Sequence, residues 1–298
     1  MRKVVVVGTI SNGERQLEKN LLRLIRSLED FCIVEVYLVE SDSSDKTTEV
    51  LAKLSSQLKN FNYIQLGKLK VSIPDRIERI RYCRNIYVQH VRNLSQLQHI
   101  DFVIVADLDG MNSRISKNGI NSSFKFDNWD VVLANQSGGY YDLLALRHDT
   151  WCHQDVMLSL RERQETIDKT NYKNPLSIKR FKQRKEFDLA RKETIYDKML
   201  VIPKRSNWIR VNSGFGGLGI YKSWVFNEFD YQLLEGDEPF ESEHVALSKR
   251  ITNAGGNIFI NPMMINNWFN TYNINRFSIV RQFRLFVWDI KNRLNSRE

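Results

Sequence analysis

Apolar and polar positions alternate along the first hundred residues in two distinct rhythms. Val4–Val7 is apolar at every position, which predicts a central strand covered on both faces. Leu17, Leu21, Leu24, Ile25 and Leu28 then recur at helical spacing across residues 14–28, opposite a charged face. Ile33–Val39 reads as a second strand. It ends in the polar cluster Glu40–Asp45, a turn that can also cap a helix starting near Thr47. A strand at Tyr63–Leu66, a long helix over Asp75–Arg92 and a strand at Phe102–Ala106 complete a β-α-β-α-β order. Such an order predicts an α/β fold with a mostly parallel sheet, helices on both faces, and ligands beyond the carboxyl ends of the strands.

Trp129–Ala134 predicts one more strand, after which the pattern changes. Residues 151–205 are rich in Arg, Lys, Glu and Gln and include the run Lys179–Lys185. Acidic residues are interleaved and no recognition motif accompanies the run, so it reads as a solvated helical insertion or a lid rather than a nucleic-acid patch. Hydrophobic structure resumes at Phe215–Tyr221, a helix follows near Glu243–Ala254, and a strand is expected at Asn257–Ile260. Over 270–298, Phe277, Val280, Phe283, Val287, Ile290 and Leu294 recur at helical spacing beside Arg276, Arg281, Arg284, Lys291 and Arg293. That pattern predicts a basic amphipathic helix that docks on the domain or makes peripheral contact with an anionic membrane.

Composition narrows the class. The chain has 298 residues, a formal charge of +9 and 42% hydrophobic content, which excludes disorder as its main state and suits one large α/β domain. Cys32, Cys83 and Cys152 match neither a zinc-finger spacing nor a secreted disulfide framework, so a reducing, cytoplasmic location is expected. The apolar run after Met1-Arg2-Lys3 is too short for a cleaved signal, and no apolar run approaches the roughly 18 residues of a membrane span. The positive balance fits a nucleic acid, an anionic membrane or a negatively charged substrate.

Chemistry concentrates at Asp107-Leu108-Asp109-Gly110, directly after an apolar strand. Two carboxylates at i and i+2 leaving a buried strand project past the sheet edge, where a divalent cation bridging to phosphate oxygens would relieve their repulsion. Aspartates also end strands simply as turn formers. Arg76 and Arg84 stand eight residues apart, near one face of a continuous helix, and could reach a common anionic ligand or pair with surface acids. Gly214–Gly219 lacks the Lys-Ser/Thr ending of a P-loop. Its glycines would permit close backbone approach, with Trp208, Tyr140 or Tyr141 offering aromatic surface nearby.

Several of these segments together resemble a known family. Leu38-Val39-Glu40-Ser41-Asp42-Ser43-Ser44-Asp45-Lys46-Thr47 aligns without gaps on the "VVDDGSTDGT" segment of nucleotide-sugar-dependent glycosyltransferases of the GT-A fold. Gly8-Thr9 stands at that family's first nucleotide-contacting position, Arg84-Asn85 resembles its "ARN" element, and Asp107 and Asp109 its DxD motif. Glu243–Arg250 followed by Gly255-Gly256 and Pro262 is similar to its "ED-xx-L-xx-R…G…P" stretch. Arg76–Arg79, Tyr140-Tyr141-Asp142, Gly214–Tyr221 and Ser242–Val245 are similar to a narrower branch, the capsule-associated mannosyltransferase-like proteins.

The resemblance implies a Rossmann-like GT-A domain spanning the chain and transfer of a sugar from a UDP- or GDP-sugar to a saccharide or lipid-linked saccharide in surface-polysaccharide synthesis, with Mn or Mg and without nucleic acid. It implies Asp109 as a direct metal ligand, Asp107 as a ligand or ribose contact, and Thr9, Glu40 and Asp42 as nucleotide contacts. Arg76 and Arg84 would face the diphosphate. Glu243-His244 departs from the usual Glu-Asp pair, so His244 is expected to complete the metal shell and Glu243 or Asp142 to act as general base. The rival readings are a sugar nucleotidyltransferase, whose glycine-rich signature Gly8–Gly13 matches poorly, and a basic module that binds polysaccharide or nucleic acid without catalysis.

Overall fold

The computed structural model describes residues 1–170, 177–233, 241–270, 272–281 and 284. The first half alternates as the apolar pattern predicts: β1 (Lys3–Ile10), α1 (Leu17–Ser27), β2 (Cys32–Glu40), α2 (Thr47–Gln57), β3 (Phe61–Gln65), α3 (Arg76–Leu97) and β4 (Phe102–Ala106). α3 starts where it does because the Asp75 carboxylate accepts the Glu78 N–H at 2.8 Å, satisfying a donor that has no partner within the helix. After β4 come α4 (Lys117–Ser122), β5 (Val131–Gln136), α5 (Val156–Glu165), α6 (Ile178–Thr194), β6 (Ile209–Val211), β7 (Leu218–Lys222), α7 (Trp224–Glu228), α8 (Glu243–Asn253) and β8 (Ile258–Asn267).

All eight strands join one sheet in the order β3-β2-β1-β4-β7-β5-β8-β6. The chain runs outward from β1 through β2 to β3, then returns to place β4 on the other side of β1, so a topological switch point lies between β1 and β4. The sheet is mixed rather than simply parallel. β7 enters antiparallel between β4 and β5, and the three-residue edge strand β6 runs antiparallel to β8. Neither β6 nor the reversal of β7 follows from apolar periodicity, because strand direction is set by the connection and not by side-chain pattern.

Period-two alternation distributes the central strands between two cores. Val5, Val7, Val103 and Val105 point to the face covered by α3 and α8, where they meet Tyr87, Val91, Leu247 and Ile251. Val4, Val6, Ile104 and Ala106 point to the other, covered by α1, α2 and α4, where they meet Leu21, Leu24, Leu51 and Ile120. Gly8 is required by the spacing of β1 and β4: a Cβ there would stand 2.5 Å from the Ala106 carbonyl oxygen.

The charged stretch 151–205 forms α5 and α6, packed through Leu160, Ile167 and Ala190 with Phe187 and Ile195 alongside. Of the helix expected over 270–298, residues 271, 282–283 and 285–298 lie outside the described residues. Asn273–Arg276 is a 3-10 turn. Among the described residues no helix is long and apolar enough to cross a membrane.

Candidate functional site

The loops following β1, β2 and β4 open on one cleft of about 590 Å³ at the switch point. Thr9, Asp42, Arg76, Arg84, Asp107, Asp109, Asp142, Glu243 and His244 all line it, so nine of the ten residues singled out from sequence meet there. Glu40 does not: it is buried at the end of β2, and its carboxylate accepts the Ser43 N–H at 3.1 Å. Asp42 is in left-handed conformation (φ 62°), and its carboxylate accepts the Lys70 N–H at 2.9 Å and faces Arg79 at 3.4 Å.

Asp107 and Asp109 leave β4 as its pattern predicts, but their environments differ. Asp107 is pushed up to about 8, first by burial and then by Asp109, Asp142 and Glu243, against the opposing charge of Arg84. Asp109 is raised too, first by desolvation among the surrounding cleft atoms although the residue is exposed at the surface, while the Met111 N–H and Arg76 favour its charged form. Arg76, in the first turn of α3, is exposed on the cleft and has no ion-pair partner among the described residues.

Arg84 lines the cleft from its floor. It is 4% exposed; its Nε donates to Glu243 at 2.9 Å, its Nη1 to the Tyr87 hydroxyl at 3.1 Å, and its Nη2 stands 3.6 Å from Asp107. The guanidinium is therefore held at the floor of the cleft between the carboxylates of Glu243 on α8 and Asp107 just after β4, over the rings of Phe215 and Tyr231. Asn85 accepts the Tyr231 N–H at 2.9 Å, anchoring the segment that precedes α8 to α3.

His244 is buried at the start of α8, with its Nε2 3.6 Å from the Glu243 carboxylate. Its ring lies flat on Phe215, 3.9 Å between centroids, and neither ring nitrogen has a hydrogen-bond partner among the described residues. Burial, reinforced by Arg84, holds the imidazole well below its usual range and keeps it neutral. Among the described residues no group of three or more His, Cys, Asp or Glu side chains is already gathered as a metal site, although Asp107, Asp109 and His244 line the same cleft. The two aspartates are suitable hard oxygen donors for Mn or Mg, with water or phosphate oxygens needed to complete the coordination.

Asp142 comes from the loop after β5. Its Oδ2 accepts the Gly216 N–H at 2.9 Å; burial raises its proton affinity, with the Gly216 and Ala145 N–H groups opposing. Gly216 (φ 70°) allows this approach, since a Cβ would press within 2.9 Å of the Ala134 oxygen. Of the three aromatics considered, Tyr141 lines the cleft and stacks on Tyr272 at 5.5 Å. Tyr140 is fully buried, and Trp208 packs with Phe126 and Phe259 away from the cleft.

Sequence reading missed a layer of buried carboxamides beneath these loops. Asn112 donates to the Asp107 carbonyl at 2.6 Å and the Gly217 carbonyl at 2.8 Å. Asn266 donates to Asn112 and the Gly216 carbonyl, and Gln136 to Gly216 and Asn266. These bonds tie the Asp107 turn, the glycine loop and β8 together. The available signal is the run of asparagines Asn261, Asn266 and Asn267 in a strand whose other positions are apolar. The wall formed by Asp155, Val156, Met157, Ile195 and Met199 was likewise not anticipated.

No protein-family model and no curated protein matches the chain. Among solved structures it is similar to the mannosyltransferase PcManGT from Pyrobaculum calidifontis in complex with GDP-Man and Mn2+, at 11% identity and a TM-score of 0.46, covering 90% of this chain and 57% of that one. It is also similar to S. aureus TarS 1–349, at 13% identity and a TM-score of 0.41, covering 87% and 58%. The same TarS segment in complex with UDP matches at 13% identity and 0.41, covering 90% and 60%. The chain thus spans a little under two thirds of the length of the solved chains it resembles.

Proposed function

We propose that this protein is a GT-A glycosyltransferase that moves a sugar from a nucleoside diphosphate donor, UDP- or GDP-linked, to a saccharide or lipid-linked saccharide in surface-polysaccharide synthesis. The observation that carries the reading is the shared cleft: the Asp107 and Asp109 pair at the switch point faces Asp142 and Glu243, with Arg76 exposed alongside. The motif resemblance of residues 4–262 supports the same reading.

Asp109, with Asp107, would hold Mn or Mg, which supplies positive charge to the departing diphosphate. Arg76 adds cationic stabilisation from the first turn of α3, and Thr9 and Asp42 contact the nucleotide. Asp142, oriented by the Gly216 N–H and raised in proton affinity, takes the proton of the acceptor hydroxyl as its oxygen bonds to the anomeric carbon. The bond from that carbon to the diphosphate oxygen breaks, and its electron pair leaves with the diphosphate. Arg84 holds Glu243 in place instead of touching the donor, and Tyr141 offers its ring to the acceptor.

Thermal denaturation with UDP-, GDP-, CMP- and dTDP-sugars, with and without Mn, tests the class. One nucleoside diphosphate sugar should raise the midpoint in a Mn-dependent way, and Asp109→Ala should remove that response while remaining folded. An unchanged response in Asp109→Ala would overturn the assignment.

A further inference from the structure

The basic run Lys179–Lys185 lies on α6, whose outer face carries more than solvated charge. α6 carries seven Lys or Arg against three Asp or Glu. Its inner side, Gln183, Phe187 and Ala190, packs toward α5 or is buried, and Asp188 holds Arg281 at 2.8 Å. On the outer side Ile178, Phe181, Lys182, Lys185 and Leu189 fall within an arc of about 100°. The three apolar side chains of that arc are 75%, 62% and 42% exposed. Lys182 and Lys185 are exposed between them and have no ion-pair partner among the described residues, whereas Lys192 is held by Asp197.

We infer that this outer face of α6 docks on an anionic bilayer surface. Apolar side chains with lysines between them match the layered chemistry of that surface: the former enter the headgroup boundary while the ammonium groups remain among anionic headgroups. A nucleic acid would engage the lysines and leave Ile178, Phe181 and Leu189 in water. A second copy docked symmetrically on the same face would oppose lysine to lysine. Both ends of the insertion border the cleft, through Asp155–Met157 before α6 and Ile195 and Met199 after it, so docking holds the cleft beside the bilayer. Delivery of a lipid-linked acceptor from that bilayer rests on the glycosyltransferase reading; the docking itself does not.

Sedimentation of the full chain with phosphatidylcholine vesicles, with and without phosphatidylglycerol, tests the inference. Binding should require phosphatidylglycerol and weaken with added salt. Lys182→Gln/Lys185→Gln should weaken it about 25-fold, roughly five-fold per lysine. Ile178→Ser/Phe181→Ser should weaken it at least about ten-fold. Both variants replace exposed side chains and should keep the wild-type melting midpoint and nucleotide-sugar response, so failure here is separable from failure of the proposed activity. Equal binding to neutral vesicles, undiminished binding by either variant, or self-association of the wild type that Ile178→Ser/Phe181→Ser abolishes would each overturn the proposal.

Discussion

The two halves of the sheet reach the cleft by different means. From β1 to β4 strands and helices alternate, and the residues delivered to the cleft, Thr9, Asp42, Arg76 and Asp107, come from the ends of β1, β2 and β4 and from the start of α3. From β5 to β8 the order is interrupted by α5, α6 and the reversed β7, and Asp142 and Glu243 come from loops and a helix whose positions depend on partners far away in sequence. Glu243 is fixed by Arg84, 159 residues earlier, and Asp142 by the backbone of Gly216, 74 residues later. Local periodicity therefore builds one side of the cleft, and a small set of long-range polar contacts assembles the other.

The contrast is most exposed to test at Arg84, the link between the halves. Arg84→Ala leaves Glu243 and Asp107 buried without their shared cation and should destabilise the fold by about 3–5 kcal/mol in urea titration. Arg84→Lys should recover only part, because an ammonium cannot reproduce the directed guanidinium contacts to both elements. A loss below about 1 kcal/mol in Arg84→Ala would show that the halves are joined by packing alone.

A second test separates the carboxylates by pH. The Asp107 carboxyl ionises near 8 in the folded protein against an ordinary value of 3.8, so the native state binds more protons between those values. Its contribution to stability is fully present below about pH 4, declines as pH rises and is lost above about 8. The ligand-free melting midpoint of wild type minus that of Asp107→Asn should fall over this range. A flat difference would place the charge burden on another carboxylate.

The smallest effect is expected where structure is most local. Asp75→Ala removes the N-cap of α3 and should cost about 1 kcal/mol by denaturant titration. Because Arg76 sits in the adjacent turn, the same variant should weaken the nucleotide-sugar response modestly without abolishing it. A cost as large as that of Arg84→Ala would contradict the division between local and long-range construction.

The sequence alone determined the strand and helix succession through β4, because runs such as Val4–Val7 and the spacing of Leu17, Leu21 and Leu24 follow from burial on two faces or one stripe. It also marked nine residues that line the cleft, since carboxylates and arginines at strand and helix ends are visible in one dimension. Tertiary structure decided what those side chains face. Arg84 lies at the floor of the cleft, Glu40 accepts the Ser43 N–H, and the imidazole of His244 stacks on Phe215. It also decided the reversal of β7 and the carboxamide layer of Asn112, Gln136 and Asn266. The physical reason is that periodicity records how much of a side chain is buried, whereas hydrogen-bond partners and strand direction depend on which distant segments the fold brings together.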